Sequence, residues 1–545
     1  MKPAVIVLFC LCFSVASAAR NDAPKFYDDD PLIVEPITQD ASGAVEREID
    51  LFFDLLMNTF ALDRTPVDVV RAQNVNTIDE VPDSGWFTNR VLKRAITPDE
   101  LTMGPARAGD GPAEGPWVIV AAKSAGAAPG FTVRDAEGET WFIQFDSPGY
   151  GEAATGAVVV ANRLFHAIGY WQVDQYISVL RPERLTIGET ARMRRPSGEK
   201  TRMTKDDLAA IFANADRRQD GSYRIVAARA VPGRTLGGFA YSGTRSDDPN
   251  DIVPHEHRRE LRALKVFGAW ANLVDLKAGN TLDTVITENG RSHIRHYLQD
   301  VGSGFGIGAN GPHRWDEGFE YLYEGDKVWK RAVSFGFYRQ PWQSADYYEF
   351  DSIGRFESDV FDPRTWKSRV PMAAELHARD DDAFWAARRV MAFTDEMIRA
   401  IVHTGQYSDA AAEAHLAKTL IGRKQKILQA YLPAINPITD PALTGGTLTF
   451  GNAAVEAGVA TAPRGYSARW FRFDNRSRAS SSIGETTADA ARIAAPGGLP
   501  SAAGTFIKVD VSAIDPPHES WKRPVSMYFR QTDGGWKLVG LERMP

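Results

Sequence analysis

The pattern of apolar and polar positions changes character several times along the chain. EIDLFFDLLMNTF (48–60) sets Ile49, Phe52, Phe53, Leu56 and Phe60 at three-to-four spacing, which predicts an amphipathic helix. MGPARAGDGPAEGP (103–116) has no period and reads as a Gly/Pro-rich connection. WVIVAAK (117–123), FTVRD (131–135) and TWFIQFD (140–146), separated by SAGAAPG and AEGE, predict a meander of three antiparallel strands. EAATGAVVVANRLFHAIGY (152–170) predicts a helix stopped by Gly169, and YISVL and RIVAARAV two further strands. HRRELRALKVFGAWANL (257–273) carries Leu261, Leu264, Phe267 and Ala271 on one helical stripe. Helical spacing returns in two segments over 381–432. Past Pro433, TLTF, ARWFRFD, FIKVDV, VSMYFR and WKLVGLER alternate apolar and polar residues, and TDGG turns between the last two. These predict a small β domain over 437–545, interrupted by 477–504, which is poor in bulky apolar residues and expected as a disordered insertion.

The first eighteen residues have a different purpose. MKPAVIVLFCLCFSVASA has a basic start, a short apolar run and an Ala-Ser-Ala end, the form of a cleavable export signal. Both cysteines, Cys10 and Cys12, fall inside it, so the mature chain is expected without thiols or disulfides. A periplasmic or extracellular location follows as the expectation. The net charge of −7 becomes −8 once Lys2 is removed, which argues against nucleic acid as a partner. No later apolar run reaches the length of a transmembrane segment. The remaining chain suits two or three domains, with 19–116 as leader, helical extension and linker.

Candidate chemistry gathers in DLKAGN (275–280) and YLQDVGSGFG (297–306). Between them, NTLDTVI, TENGR and SHIRHYLQD form a predicted hairpin with an Asn-Gly turn. The second strand returns Asp300 beside the start of the first. Asp275, Asn280 and Asp300 are therefore expected to converge although 25 residues apart in the chain. Phosphoryl transfer needs hard oxygen ligands for a divalent cation and a carboxylate near the attacking hydroxyl, and this trio supplies both.

Asp-x4-Asn, a hairpin and then Asp-Val-Gly resemble the catalytic loop and Asp-Phe-Gly motif of the protein-kinase superfamily. The order of meander, helix, strands and helical second half is similar too. The atypical HipA-type kinases and the spore-coat kinase CotH resemble the chain better than ordinary kinases. Residues 117–432, with VPDSGWFTNR, DDPND (247–251) and FWAARRVMAF (384–393), also look like a group of exported bacterial proteins with no established activity. The resemblance implies an α+β, two-lobed kinase-like domain over 117–436. Its β-rich N-lobe would span about 117–235 and its helical C-lobe about 236–436, with the C-terminal β domain following. It further implies that Asp275 orients the substrate hydroxyl or accepts its proton, and that Asn280 and Asp300 hold Mg²⁺ or Mn²⁺. SAGAAPG, with Ser124, Gly126 and Gly130, would cover the phosphates of ATP, and RAVPGRTLGGF (229–239) would contain the hinge.

The chain departs from that pattern where the family has its phosphate-binding lysine and the glutamate paired with it. Gln144 stands in the lysine position, and 153–167 contain no acid. Lys123 is the candidate substitute cation and Glu152 its candidate partner. Leu273 replaces the usual histidine two residues before Asp275. GIGANG (306–311) lacks the strand-to-helix context of a dinucleotide site. His255-Glu256-His257 lacks zincin spacing and reads as a helix start with surface imidazoles. Asp283 reads as a structural, hydrogen-bonding carboxylate. Two functions stay open: a Mg²⁺/nucleotide-dependent phosphotransferase acting on an exported protein or glycan, or a non-catalytic, pseudokinase-like envelope binding protein.

Overall fold

The computed structural model describes residues 23–544 apart from 68, 95, 107–110, 124–127, 196 and 348. The export signal, with both cysteines, lies outside the described residues, as do Ser124 and Gly126. The described chain forms two compact units, one of 36–74 and 83–427, the other of the segments up to 35, 75–82 and 428 onward. The strands and helices expected as separate lobes belong to the first unit as far as Ile427, and the end of the helix Ala410–Tyr431 falls in the second.

Seven strands of that unit make one mixed sheet: β1 (Trp117–Ala122), β2 (Gly130–Arg134), β3 (Thr140–Phe145), β4 (Gln175–Leu180), β5 (Leu185–Arg194), β6 (Lys200–Arg202) and β7 (Tyr223–Arg229). Their order is β4-β7-β3-β2-β1-β5-β6, antiparallel except where β1 meets β5. Alternation explains one face: Trp117 and Ile119 of β1, Phe131 and Val133 of β2, and Trp141, Ile143 and Phe145 of β3 pack in one cluster. On the way from β3 to β4 the chain forms α2 (Ala153–Ile168), almost wholly buried and stopped at Gly169, φ 142°. It follows the short helix α1 (Leu51–Leu56), which continues as a π turn, Met57–Ala61. The expected apolar stripe of α1 faces solvent: Phe52, Phe53 and Phe60 are exposed.

The helix expected over 257–273 is two helices, α3 (Arg259–Arg262) and α4 (Leu264–Ala271). Arg259 and Arg262 are fully buried and grip Asp382 at 2.9 and 3.2 Å. Asp382 opens α6 (Asp380–Met391), which follows α5 (Gly325–Val333) in the chain. The last helical region is three helices, not two. Thr394 accepts the Met397 N–H and starts α7 (Asp395–His403), ahead of α8 (Ala410–Tyr431). Trp270 Nε1 donates to the Leu420 carbonyl and Arg423 to the Ala269 carbonyl, so α4 is clamped to α8.

The hairpin after α4 is β9 (Thr281–Glu288) and β10 (Arg291–Leu298), joined at Asn289 and Gly290 with φ of 53° and 76°. Both left-handed residues suit an Asn-Gly turn. β8 (Arg234–Thr235) edges β9. Asp283 is wholly buried and structural, bonded to Arg245 at 3.2 Å and to His296, its cross-strand partner, at 2.7 Å. Trp86 stacks on His296 with ring centroids 3.5 Å apart. His255 is buried rather than exposed, because Asp251 and the Ala240 carbonyl hold its two ring nitrogens. GIGANG forms a small hairpin, β11 (Ile307–Gly308) with β12 (Gly311–Pro312).

The second unit contains β13 (Ile438–Thr444), β14 (Thr447–Asn452), β15 (Gly465–Phe473), β16 (Ser480–Ala488), β17 (Arg492–Ala494), β18 (Phe506–Ile514), β19 (Val525–Thr532) and β20 (Gly535–Glu542). They form sheets of order β13-β14-β17 and β16-β15-β18-β19-β20. Residues 477–504 are thus not a disordered insertion over their whole length. β16 pairs with β15 along its length, held by backbone hydrogen bonds that its largely exposed Ser/Thr side chains did not announce. The segments from the expected leader join this unit through specific contacts. Phe26 packs on Phe473, Tyr528 and Val539, and Asp79 pairs with Arg543 at 3.2 Å. No helix among the described residues is long and apolar enough to cross a membrane.

Glu375 generates a pH test of the first unit. Fully buried and bonded to Ser368, its carboxyl is pushed by burial from 4.5 up to about 7. The folded chain then holds a proton that the unfolded chain has released. The stability that this carboxyl contributes is full below pH 4.5, is lost as pH rises through about 7, by about 3 kcal/mol in all, and is absent beyond. Glu375→Gln removes this slope, so chemical denaturation should show the variant gaining on wild type between pH 5 and 7.5; parallel profiles would contradict the assignment.

Candidate functional site

Helix α4 ends at Asn272, whose left-handed φ of 51° turns the chain away from the helix axis. Its side chain accepts the Trp366 Nε1–H at 2.8 Å, so the reversal is fixed. Leu273 and Val274 are buried, and Arg369 N–H donates to the Val274 carbonyl at 2.8 Å. Apolar packing and this strand-like contact anchor the loop where a histidine was expected. Asp275 follows, with its backbone N–H on Ser303 Oγ at 3.1 Å.

Asn280 joins the loop to the return of the hairpin. Its amide donates to the Asp275 carbonyl at 2.7 Å, and its own carbonyl accepts the N–H groups of Gln299 and Asp300, each at 3.0 Å. The three residues singled out in the sequence are brought together by this one side chain and its backbone. Asp300 is exposed, with Oδ1 capping the Gly302 N–H at 3.0 Å. Among the described residues, Asn280 Oδ1 and Asp300 Oδ2 take no hydrogen bond. Each is a hard oxygen of the type that a small divalent cation takes. Among the described residues no group of three or more His, Cys, Asp and Glu is arranged to hold a metal.

Asp275 is a half-buried carboxylate between two cations. Arg369 Nη1 lies 3.1 Å from Oδ1 and Lys277 Nζ 2.8 Å from Oδ2. Burial pushes its carboxyl up, but Arg369, Lys277 and hydrogen bonds together outweigh that and hold it below 3.8. It is an anion at neutral pH. Arg369 is in turn forked onto Glu317 at 3.1 and 3.2 Å. Lys277 lies inside DLKAGN and was within reach of sequence reasoning. Arg369 and Glu317 were not, because nothing local links them to Asp275.

The sheet supplies the remaining candidates. Gly130 is the register partner of Gln144. A Cβ on Gly130 would stand 2.3 Å from the Ile143 carbonyl, so only glycine fits there. The Lys123 stem passes 3.4 Å from the same point. The Lys123 ammonium is pulled below the ordinary lysine value by the desolvating protein around it, and Asp300 opposes that shift. Asp300 is thus an acid whose charge acts on Lys123. Glu152, the expected partner, is turned elsewhere. Its backbone is left-handed, φ 70°, and its carboxylate takes the N–H and hydroxyl of Ser408 at 2.7 and 3.0 Å, with Arg224 at 4.0 Å.

No protein-family model matches the chain and no curated protein matches it in sequence. Two solved structures are similar to it at low level. One is the Golgi casein kinase with Mn/ADP bound, at 10% identity and a TM-score of 0.29, covering 61% of this chain and 76% of that one. The other is the Golgi casein kinase at 11% identity and the same TM-score, covering 73% and 96%. At that level the functional reading rests on the side chains.

If Arg369 is the main force holding Asp275 ionised, Arg369→Gln lets burial dominate. The Asp275 carboxyl, followed by ¹³C NMR, should then titrate at clearly higher pH than in wild type; an unmoved titration would show that Arg369 does not act on it.

Proposed function

We propose that this chain is an exported, atypical kinase-like phosphotransferase that uses ATP with Mg²⁺ or Mn²⁺ to modify a hydroxyl of an envelope or extracellular protein or glycan. The observation that carries the reading is the convergence at Asn280, which joins the carboxylate-bearing loop to Asp300 by three hydrogen bonds. Asn280 and Asp300 hold the cation, which when bound neutralises charge on the nucleotide phosphates. Asp275, ionised and held between Arg369 and Lys277, orients the acceptor hydroxyl and takes its proton. Lys123 takes the place of the phosphate-binding lysine that Gln144 replaces. Gly130 keeps its own backbone against that of Ile143, and Ser124 and Gly126 belong, in this reading, to the segment that faces the phosphates.

A second reading has an observation of its own. Glu152 is committed to Ser408 and Arg224, so no lysine–glutamate pair joins β3 to α2. A kinase-derived binding protein without turnover would have the same arrangement.

The two part in a thermal-shift titration of the mature protein. ATP with Mg²⁺ or Mn²⁺ at a hundred times its Kd stabilises by about 2.7 kcal/mol. The catalytic reading expects a metal-dependent rise in Tm that Asp300→Ala abolishes. A shift indifferent to metal and to Asp300 contradicts it. Lys123→Ala should weaken nucleotide binding about tenfold; unchanged binding removes Lys123 from the site.

A further inference from the structure

Downstream of Asp300 the chain builds a cavity of about 510 Å³, within the size range of small-ligand sites, that the reading above does not use. Arg314, Arg331 and Arg355 line it together with the indoles of Trp315 and Trp342 and one carboxylate, Asp316. The groups are held in place from behind. Glu320, almost wholly buried, binds Arg331 Nη2 at 2.6 Å and Trp342 Nε1 at 2.8 Å. Arg355 lies 4.0 Å over the Trp315 ring and donates to the His313 carbonyl. Asp316 takes Nε and Nη2 of Arg314 at 3.1 and 3.0 Å, leaving that guanidinium with further donors. Arg314, Arg331 and Arg355 thus bring three guanidinium groups to one lining. Trp315 is half exposed, and besides Arg355 its indole meets the Tyr347 ring, centroids 5.6 Å apart.

We propose that this cavity binds an organic anion, its phosphate or carboxylate against the arginines and its body against the indole faces. Planar guanidinium groups suit such oxyanions through paired N–H donors, and aromatic faces retain a ring or chain that bare phosphate lacks. The cavity also connects to the candidate catalytic loop. Glu317, next to Asp316, grips Arg369, and Arg369 grips Asp275. On the phosphotransfer reading, the ligand is the acceptor, carrying an anionic group apart from its reacting hydroxyl. A basic peptide is excluded by the same charges.

The test is isothermal titration of the mature protein, without nucleotide or metal, against phenyl phosphate, inorganic phosphate and phenol. Phenyl phosphate should bind more tightly than inorganic phosphate, and phenol should not bind measurably. Arg314→Gln, a partly exposed site where folding should persist, should weaken phenyl phosphate about tenfold. Trp315→Ala should bring phenyl phosphate and inorganic phosphate closer together. The proposal is overturned if phenyl phosphate does not bind, or if it binds Arg314→Gln and Arg331→Gln as well as wild type while both keep the wild-type Tm. Because no nucleotide or metal is present, that failure leaves the phosphotransfer reading intact. A failed nucleotide titration likewise leaves the cavity's anion binding standing.

Discussion

The candidate site depends on Asn280. A loop and a hairpin end, twenty residues apart, have no reason to meet unless something joins them, and here one residue does it three times. Its amide nitrogen fixes the Asp275 carbonyl, and its carbonyl collects the Gln299 and Asp300 N–H groups. Each such bond contributes only about 1 kcal/mol net, so what matters is geometric. The amide donates to backbone, and among the described residues its oxygen takes no hydrogen bond. Aspartate there would keep an oxygen but lose the N–H that holds Asp275.

Behind this loop, buried charges accompany the apolar packing of Leu273 and Val274. Arg259 and Arg262 on Asp382, and Arg245 on Asp283, are buried ion pairs, and His296 is hydrogen-bonded to Asp283. Burying such pairs gives little stability over a packed apolar core, but breaking one leaves an unpaired charge and costs several kcal/mol. They act as position markers: one sets α3 against α6, the other sets the register of β9 on β10. The loop carrying Asp275 lies between these two fixed points. Asp275 itself repeats the arrangement at the surface, with Arg369 linking it back to Glu317.

Much of this arrangement was legible in the sequence, for definite reasons. The Asn-Gly turn and the alternation of β9 and β10 sufficed to bring Asp300 back to Asn280, and the period-two runs gave β1 to β3 their faces. Local signals failed where the decisive partner was remote. Arg369 is 94 residues beyond Asp275. Glu152 looked available to Lys123 because sequence does not show the left-handed turn that sends it to Ser408. β16 was missed because backbone pairing with β15, not apolar burial, makes it a strand.

The central claim is that Asn280 and Asp300 together present one cation site next to an ionised Asp275. Anomalous diffraction at the manganese edge, from crystals grown with Mn²⁺ and a non-hydrolysable ATP analogue, locates the ion without reference to activity. The account predicts a peak within ligand distance of Asn280 Oδ1 and an Asp300 carboxylate oxygen. A peak elsewhere in the molecule, with nucleotide bound but those two side chains bare, would contradict it.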